Sequence, residues 1–173
     1  WQAETRQHIW SRYKSNHNAP LWRLRSISRL HVTRSSCRVI LADYQGKDGN
    51  RMKFSISKAA DGKFDDGGLR SFFEYRDLGI RDATEGRYMA HVIRAKQACT
   101  DGTGFHRHPL DFQIFYVLKG TVRFRYDGHG EHDLVAGDCV HQPPGIRHEL
   151  MSCSDDCEIL EITSPAEFET LDA

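Results

Sequence analysis

The sequence predicts an all-β protein, and three observations support this fold class. From residue 69 onward, short runs rich in β-branched and aromatic residues follow one another. Glycine and proline lie between the runs, and helical periodicity is almost absent over any useful window. Several short strands at close spacing are typical of a sandwich or a barrel. The predicted strands are residues 87–96, 111–118, 121–127, 131–135, 138–141, 148–151 and 156–163.

Turn signals separate these strands. Lys119 and Gly120 predict a two-residue hairpin loop between the second and third strands. Residues 127–130, Asp-Gly-His-Gly, predict the next connection, and residues 143–145, Pro-Pro-Gly, predict a further reversal. Residues 72–78 are expected to lead into the barrel and to cover one of its edges.

Length and composition indicate one domain. The chain has 173 residues, of which 39% are hydrophobic, enough apolar material for one core. No stretch approaches the roughly 18 consecutive apolar residues of a membrane span, and the beginning of the chain lacks the apolar region of a signal peptide. We therefore expect a soluble, cytoplasmic protein that does not bind membranes.

Five cysteines are an odd number, without the dense spacing of a disulfide scaffold, which agrees with a reducing compartment. Cys153 and Cys157 flank the turn-like residues 154–156. We interpret them as strand residues at the two ends of a hairpin loop; the alternative is a redox or zinc-binding pair.

Charge divides the chain into two parts. Residues 1–51 contain ten basic and three acidic residues, a net charge of +7, and residues 52–173 contain 14 basic and 21 acidic residues, a net charge of −7. The basic part could contact phosphates, but no nucleic-acid-binding motif is present in it, so a nucleic-acid partner is not expected. We predict that residues 1–51 form a poorly packed basic extension, flexible or outside the functional protein and dispensable for the fold.

The remaining boundaries follow from the strand pattern. Residues 52–84 are predicted to be the lead-in and edge-covering segment, residues 85–163 the barrel, and residues 164–173 a C-terminal tail.

Two segments concentrate residues with metal-binding chemistry. His106 and His108 are two positions apart, so on an extended chain both imidazoles point to the same face. Such a pair alone is weak evidence, and Pro109 makes a loop equally compatible with the sequence. His148 follows about 40 residues later, after a predicted strand and the Pro-Pro-Gly turn, and adds a third imidazole.

Together the two segments resemble the paired motifs of the cupin superfamily. The first motif of that family has HxH, three or four residues, Glu, six residues and Gly; here His106 and His108 are followed by Gln113 and Gly120. The second motif has Gly, five residues, PxG, two residues and His, followed by Asn; here Gly137, residues 143–145 and His148 match. Gln113 replaces the usual Glu, and Ser152 replaces the usual Asn.

This resemblance implies a cupin-type jelly-roll β-barrel of two antiparallel sheets with one divalent transition metal inside. Position by position, the ligands would be His106, His108, Gln113 and His148. Imidazole ligands suit Fe, Zn, Ni and Cu, and Mn is a further candidate. On residues 112–118, an inward Gln113 places alternate residues inward and the others outward, and both faces are apolar. An apolar outer face requires a cover, so we expect a homodimer.

Gln113 determines the charge of the predicted site. An amide oxygen can bind a metal but cannot neutralise it or accept a proton, so the ion would keep its full charge and favour anionic oxygen ligands. A Gln113→Glu exchange is expected to tighten metal binding, whereas Gln113→Ala leaves it largely intact. Alternatively, Gln113 turns away and only hydrogen-bonds a neighbouring strand.

A general base must then come from residues behind the ligands. The candidates from the sequence are His91, His141, Tyr88 and Tyr126, and each could equally be a packed or exposed barrel residue. Arg147 could hold an anionic substrate. The favoured function is a metal-dependent enzyme, a dioxygenase or an isomerase or cyclase, acting on a small oxyanionic or enolisable molecule. The alternative is a metal-dependent binding or sensor module without turnover.

Overall fold

Two five-stranded antiparallel sheets form the barrel in the computed structural model. The structure describes residues 43–46, 49, 51–68 and 70–173, so most of the predicted basic extension, residues 1–51, lies outside the described residues. The first sheet has the strand order β12-β5-β10-β7-β8, and the second has the order β3-β4-β11-β6-β9. A separate pair, β1 (Asp43–Gln45) and β2 (Arg51–Lys53), precedes them.

The strands and helices of the barrel have the following bounds. The first sheet contains β5 (His106–Arg107), β7 (Thr121–Tyr126), β8 (Gly130–Val135), β10 (His148–Cys153) and β12 (Leu171–Asp172). The second contains β3 (Phe73–Asp77), β4 (Met89–Ala95), β6 (Phe112–Lys119), β9 (Cys139–His141) and β11 (Glu158–Ser164). A 3-10 helix covers Ala59–Asp61, and the helix α1 covers Ile80–Ala83.

Alternation along each strand builds the core. On β6, Gln113, Phe115 and Val117 are at most 5% exposed, whereas Tyr116 and Leu118 are 40% and 43% exposed, as the sequence predicts. Inward side chains of β7, β10 and β11 complete this layer, among them Val122, Phe124, Leu150 and Ile159. Burial of these apolar surfaces between the sheets is the main stabilising contribution.

The sheets extend beyond the predicted barrel of residues 85–163 at both ends. β3 pairs with β4 and forms an edge of its sheet, in the segment expected to cover an edge. β12, in the predicted C-terminal tail, pairs with β5 and closes an edge of the other sheet. In the described residues, no helix is long and apolar enough to cross a membrane.

Two predicted hairpins are wrong, because both connections lead from one sheet to the other. β6 and β7 belong to different sheets, as do β10 and β11. Gly120 turns this corner with φ of +71°, and a Cβ there would lie 2.9 Å from the Cα of Cys157. The two connections pack together, since the Thr121 N–H donates to Ser154 Oγ at 2.9 Å. Loop length alone does not distinguish a hairpin from a barrel corner.

The cysteines of the second connection are buried and unpaired. Cys153 ends β10 and exchanges two backbone hydrogen bonds with Cys99, of 3.0 and 3.1 Å. Cys157 directly precedes β11 and is 1% exposed. Both thiols are free, and both belong to the hydrophobic core.

Candidate metal centre

Three imidazoles converge inside the barrel on the sheet that contains β5 and β10. His106 on β5 lies directly opposite His148 on β10, and His108 follows β5. The ring centroids are 4.5 to 5.3 Å apart, and one nitrogen of each ring lies within 4.8 Å of the other two. The side chains are nearly buried, with 9%, 9% and 3% exposure for His106, His108 and His148.

Backbone carbonyls orient each ring. The Nδ1 of His106 lies 2.9 Å from Gly104 O, that of His108 lies 3.4 Å from Glu169 O, and that of His148 lies 3.0 Å from Ile146 O. A carbonyl oxygen only accepts, so Nδ1 of His106 and of His148 donates its hydrogen. Nδ1 of His108 also lies 3.4 Å from Thr170 Oγ1, and it donates its hydrogen when it bonds the Glu169 carbonyl. The lone pair of each ring is therefore on Nε2, as in metal sites where an outer hydrogen bond fixes the tautomer.

The Pro-Pro-Gly turn connects the two histidine segments. The N–H of Ile146 donates to the Pro143 carbonyl at 3.1 Å, which closes the turn directly before His148. The N–H of Gly145 donates to the His108 carbonyl, also at 3.1 Å, and Gly145 adopts φ of +71°. The turn thus fixes the spacing between His108 and His148.

Burial keeps the three imidazoles neutral. Desolvation lowers the pKa of His106, His108 and His148, and for His148 the pKa falls to about 4. Each backbone carbonyl partially opposes this effect. At neutral pH the lone pairs are free, which is the protonation state that a metal requires.

Gln113 lies in the same cavity but makes its hydrogen bond to a residue that the sequence did not indicate. Its Nε2 donates to Glu161 Oε1 at 2.9 Å, and the other carboxylate oxygen of Glu161 lies 2.7 Å from His91 Nε2. Gln113 therefore lines the cavity and hydrogen-bonds a neighbouring strand, and its role as a metal ligand stays a prediction. Glu161 places a carboxylate one hydrogen bond behind the predicted amide ligand.

The cavity in front of the imidazoles has a volume of about 710 Å³. This volume lies within the range typical of small-molecule sites. Its apolar wall includes Phe73, Ile93, Phe115, Phe124, Leu150 and Ile159, and its polar groups include Arg70, Tyr75 and Thr103 in addition to the histidines, Gln113 and Glu161.

Arg70 introduces a cation into this cavity. Among the residues that the structure describes, no acidic side chain forms an ion pair with it. Besides burial, which is the main cause, the Arg70 charge further lowers the pKa of His106 and His108. Burial raises the pKa of Tyr75, whose hydroxyl hydrogen-bonds the Arg70 backbone. Arg70 can therefore attract an anion beside the imidazoles.

Of the residues predicted behind the ligands, His91 lines the cavity. Tyr126 is buried and its ring stacks on His148 at 5.9 Å, with its hydroxyl accepting from Gln142 Nε2 at 3.2 Å. Burial raises the pKa of Tyr126 far above its ordinary value. Tyr126 thus supports His148 from behind.

The other three candidates do not line the cavity, and their predicted roles are corrected. His141 pairs with Ile114 on the outer face of its sheet and contacts the Phe112 ring. The Tyr88 carbonyl accepts from Thr84 at 3.2 Å, near α1. Arg147 is exposed and forms a 3.0 Å ion pair with Asp127, so it does not reach an anion in the cavity. Strand periodicity did not show which way these side chains point.

The donor set fits a divalent transition metal. Three clustered imidazoles, with the amide of Gln113 lining the same cavity, offer a neutral set of nitrogen and oxygen donors. Imidazole is a ligand for Zn, Cu, Fe and Ni, and three protein ligands leave a position open for substrate or water.

Comparison with known proteins identifies the fold. Residues 97–163 match the family model described as a cupin domain. No curated protein sequence matches the chain.

Three solved structures illustrate the likeness. KdgF from Halomonas sp. is 18% identical, with a TM-score of 0.55, over 66% of this chain and 96% of that one. The polyketide cyclase RemF from Streptomyces resistomycificus is 16% identical, with a TM-score of 0.55, over 69% of this chain and 85% of that one. The Bacillus subtilis oxalate decarboxylase, a protein with Mn(II) centres, is 20% identical, with a TM-score of 0.51, over 74% of this chain and 34% of that one.

Proposed function

The chain belongs to the cupin superfamily, and from this premise we propose that it is a metal-dependent enzyme acting on a small oxyanionic or enolisable molecule. His106, His108 and His148 would hold one divalent transition metal, with Gln113 as a weak fourth ligand. Fe, Zn, Ni, Mn and Cu are the candidate ions. The Mn(II) centres of the oxalate decarboxylase support a divalent ion in this fold.

One observation carries the proposal: one nitrogen from each of three imidazoles lies within 4.8 Å of the other two at the wall of a cavity of about 710 Å³. Metal-binding histidines typically donate their other ring N–H to a carbonyl or carboxylate, and the contacts from Nδ1 of these three rings to carbonyls agree with that arrangement. The cavity also contains a cation, Arg70, and a carboxylate, Glu161, so it has groups for binding an anion and for moving a proton.

Each polar group has a proposed task. A divalent ion on three imidazoles supplies Lewis acidity towards an anionic oxygen. Arg70 would bind a second anionic group of the substrate and orient it. The His91–Glu161 pair, 2.7 Å apart, would accept or return a proton, because it is the buried acid–base pair on the cavity wall.

This pair favours an isomerase or cyclase reaction over a dioxygenase reaction. Isomerases and cyclases move a proton at carbon beside a carbonyl, and that step requires a base. The likeness to the polyketide cyclase RemF agrees with this choice. A dioxygenase with iron in the site is the second candidate, because imidazole ligands also suit Fe(II).

Two assays on the metal-loaded protein test the function. In deuterated water, exchange of the methyl hydrogens of pyruvate is followed by NMR, and in a separate cell oxygen uptake is followed with diketone, catechol and flavonol substrates. Exchange above the metal-free control supports the isomerase or cyclase reaction, and oxygen uptake by the iron form alone supports the dioxygenase. Absence of both, with metal-dependent ligand binding, would support the binding or sensor module instead.

Arg70 is expected to determine the affinity for anions. Hydrogen bonds to charged groups contribute roughly 1.5 to 3 kcal/mol, so Arg70→Gln should weaken binding of pyruvate about tenfold or more. Binding of the neutral analogue pyruvamide should change little. Arg147→Gln is the matched control, because Arg147 is an exposed cation that is ion-paired with Asp127 at 3.0 Å and does not line the cavity. Equal losses for pyruvate and pyruvamide would contradict the role of Arg70.

We also propose that the chain forms a homodimer through the outer face of β6. Phe112, Tyr116 and Leu118 are 39%, 40% and 43% exposed on this face and carry no charge, and a two-fold axis would place the stripe against itself. Tyr116→Glu should shift the protein to monomers, measured by light scattering after size-exclusion chromatography. Val135→Glu, at a 51% exposed position on the other sheet, should not. A monomeric wild-type protein would contradict the proposal.

A further inference from the structure

Glu161 lies between two polar side chains of neighbouring strands. β11 is flanked by β4 and β6, and Glu161 on β11 is directly paired with His91 on β4. Its Oε1 accepts from Gln113 Nε2 of β6 at 2.9 Å, and its Oε2 contacts His91 Nε2 at 2.7 Å. The three side chains are nearly buried, with 16% exposure for Glu161, 13% for His91 and 5% for Gln113. The contact is thus shielded from water.

The chemistry of a carboxylate determines how the Gln113 amide is oriented. A carboxylate has no hydrogen to donate, so only the NH₂ group of Gln113 can face it. The carbonyl oxygen of the same amide is then directed away from Glu161, and Gln113 lines the cavity that contains the three imidazoles. We infer that Glu161 is the positioning residue that fixes Gln113 with its Oε1, rather than its Nε2, towards the metal centre.

This orientation matters because the two ends of an amide are not equivalent ligands. The carbonyl oxygen has lone pairs for a cation, whereas the amide nitrogen has none available and presents hydrogens. Without Glu161, the amide could adopt either orientation, and the reversed one would direct hydrogens at the ion. The inference rests on the proposed metal site, and it names the residue that makes Gln113 a competent ligand there.

The ionisation of Glu161 agrees with this role. Burial alone would raise its pKa, but the hydrogen bond and charge of His91 and the hydrogen bond from Gln113 outweigh burial, and the pKa lies below its ordinary value. The carboxylate is therefore an acceptor at neutral pH. It holds one negative charge behind a neutral ligand, where it is poorly screened by water.

A double-mutant cycle on cobalt binding tests the inference. The variants are Glu161→Leu, which removes the acceptor, Gln113→Ala, which removes the proposed ligand, and the two together. Cobalt(II) affinity is measured by titration, and the visible absorption of the bound cobalt reports its ligands. Glu158→Leu on the same strand is the matched control, and melting of each metal-free variant shows whether it folds.

Removing an outer partner of a metal ligand typically weakens binding 10- to 100-fold. Because Gln113 is a weak fourth ligand and three imidazoles remain, we expect a smaller loss of cobalt affinity, about threefold, in each single variant. The cobalt spectrum should change in the same way in both variants, and the double variant should show no further loss, because residues that act as one unit are not additive. Glu158→Leu should leave affinity and spectrum unchanged.

Several results would overturn the inference while leaving the metal site intact. Additive losses in the double variant would show that Glu161 acts independently of Gln113. Wild-type cobalt affinity in Glu161→Leu would show that Glu161 does not position a ligand. The same conclusion would follow if Gln113→Ala also kept wild-type affinity. If the folded wild-type protein binds no cobalt, the proposed function itself is wrong.

Discussion

Replacing His148 by alanine is expected to weaken metal binding on the order of 100-fold. Apparent binding free energies of structural zinc sites are roughly 10 to 16 kcal/mol, or about 3 kcal/mol for each of four ligands. His148 is 3% exposed and directly opposite His106, so alanine there removes one of the three imidazoles from the centre of the cluster. The double variant His106→Ala, His148→Ala should retain no stoichiometric metal after dialysis.

His141→Ala is the control for this experiment. His141 is a histidine of the same barrel, but it lies on the outer face of its sheet beside Phe112. Its removal should leave metal content and affinity unchanged. Full metal occupancy in the folded double variant would contradict the account, as would equal losses in His141→Ala and His148→Ala.

The metal-free protein is expected to lose stability as the pH falls from about 6.5 to about 4. In the unfolded chain His148 has the ordinary pKa of 6.5, whereas burial lowers it to about 4 in the fold. Between these values the unfolded state binds more protons, so acid favours unfolding; above 6.5 this contribution is constant. For His148 alone the loss is about 3 kcal/mol, and the lowered pKa values of His106 and His108 act in the same direction.

Urea denaturation of the metal-free protein from pH 8 to pH 4 measures this effect. Glu161 extends the trend to lower pH, since its lowered pKa stabilises the fold above about 4.5 and that contribution is lost in stronger acid. In His148→Asn, which cannot be protonated, the slope below pH 6.5 should be smaller. A free energy of unfolding that does not change between pH 7 and pH 5 would contradict the buried, neutral imidazoles.

The histidine cluster could be predicted only in part from local spacing. His106 and His108 share a face by strand periodicity, whereas His148, 40 residues later, was joined to them through the resemblance to the two cupin motifs. The inward face of β6 could be predicted from the same periodicity, because alternation places Phe115 and Val117 with Gln113. The shared faces need only the period of a strand, whereas the convergence of His148 on the pair needs the family resemblance.

Glu161 and Arg70 could not be predicted, because their positions depend on long-range pairing. Residues 158–164 have apolar side chains on both faces, so the sequence does not show that Glu161 points inward. The strand order β4-β11-β6 determines the neighbours of Glu161. His91 on β4 precedes it by 70 positions in the sequence, and Gln113 on β6 precedes it by 48. Arg70 precedes β3, a strand that the sequence indicated only as an edge-covering segment.

The most direct test of the central claim is nitrogen NMR of the histidine rings in protein loaded with an NMR-active cadmium isotope. The account predicts that the Nε2 nitrogens of His106, His108 and His148 all couple to one cadmium, while each Nδ1 retains its hydrogen and shows no coupling. Coupling to fewer than three of these rings, or coupling through Nδ1, would contradict a metal centre built on these three imidazoles.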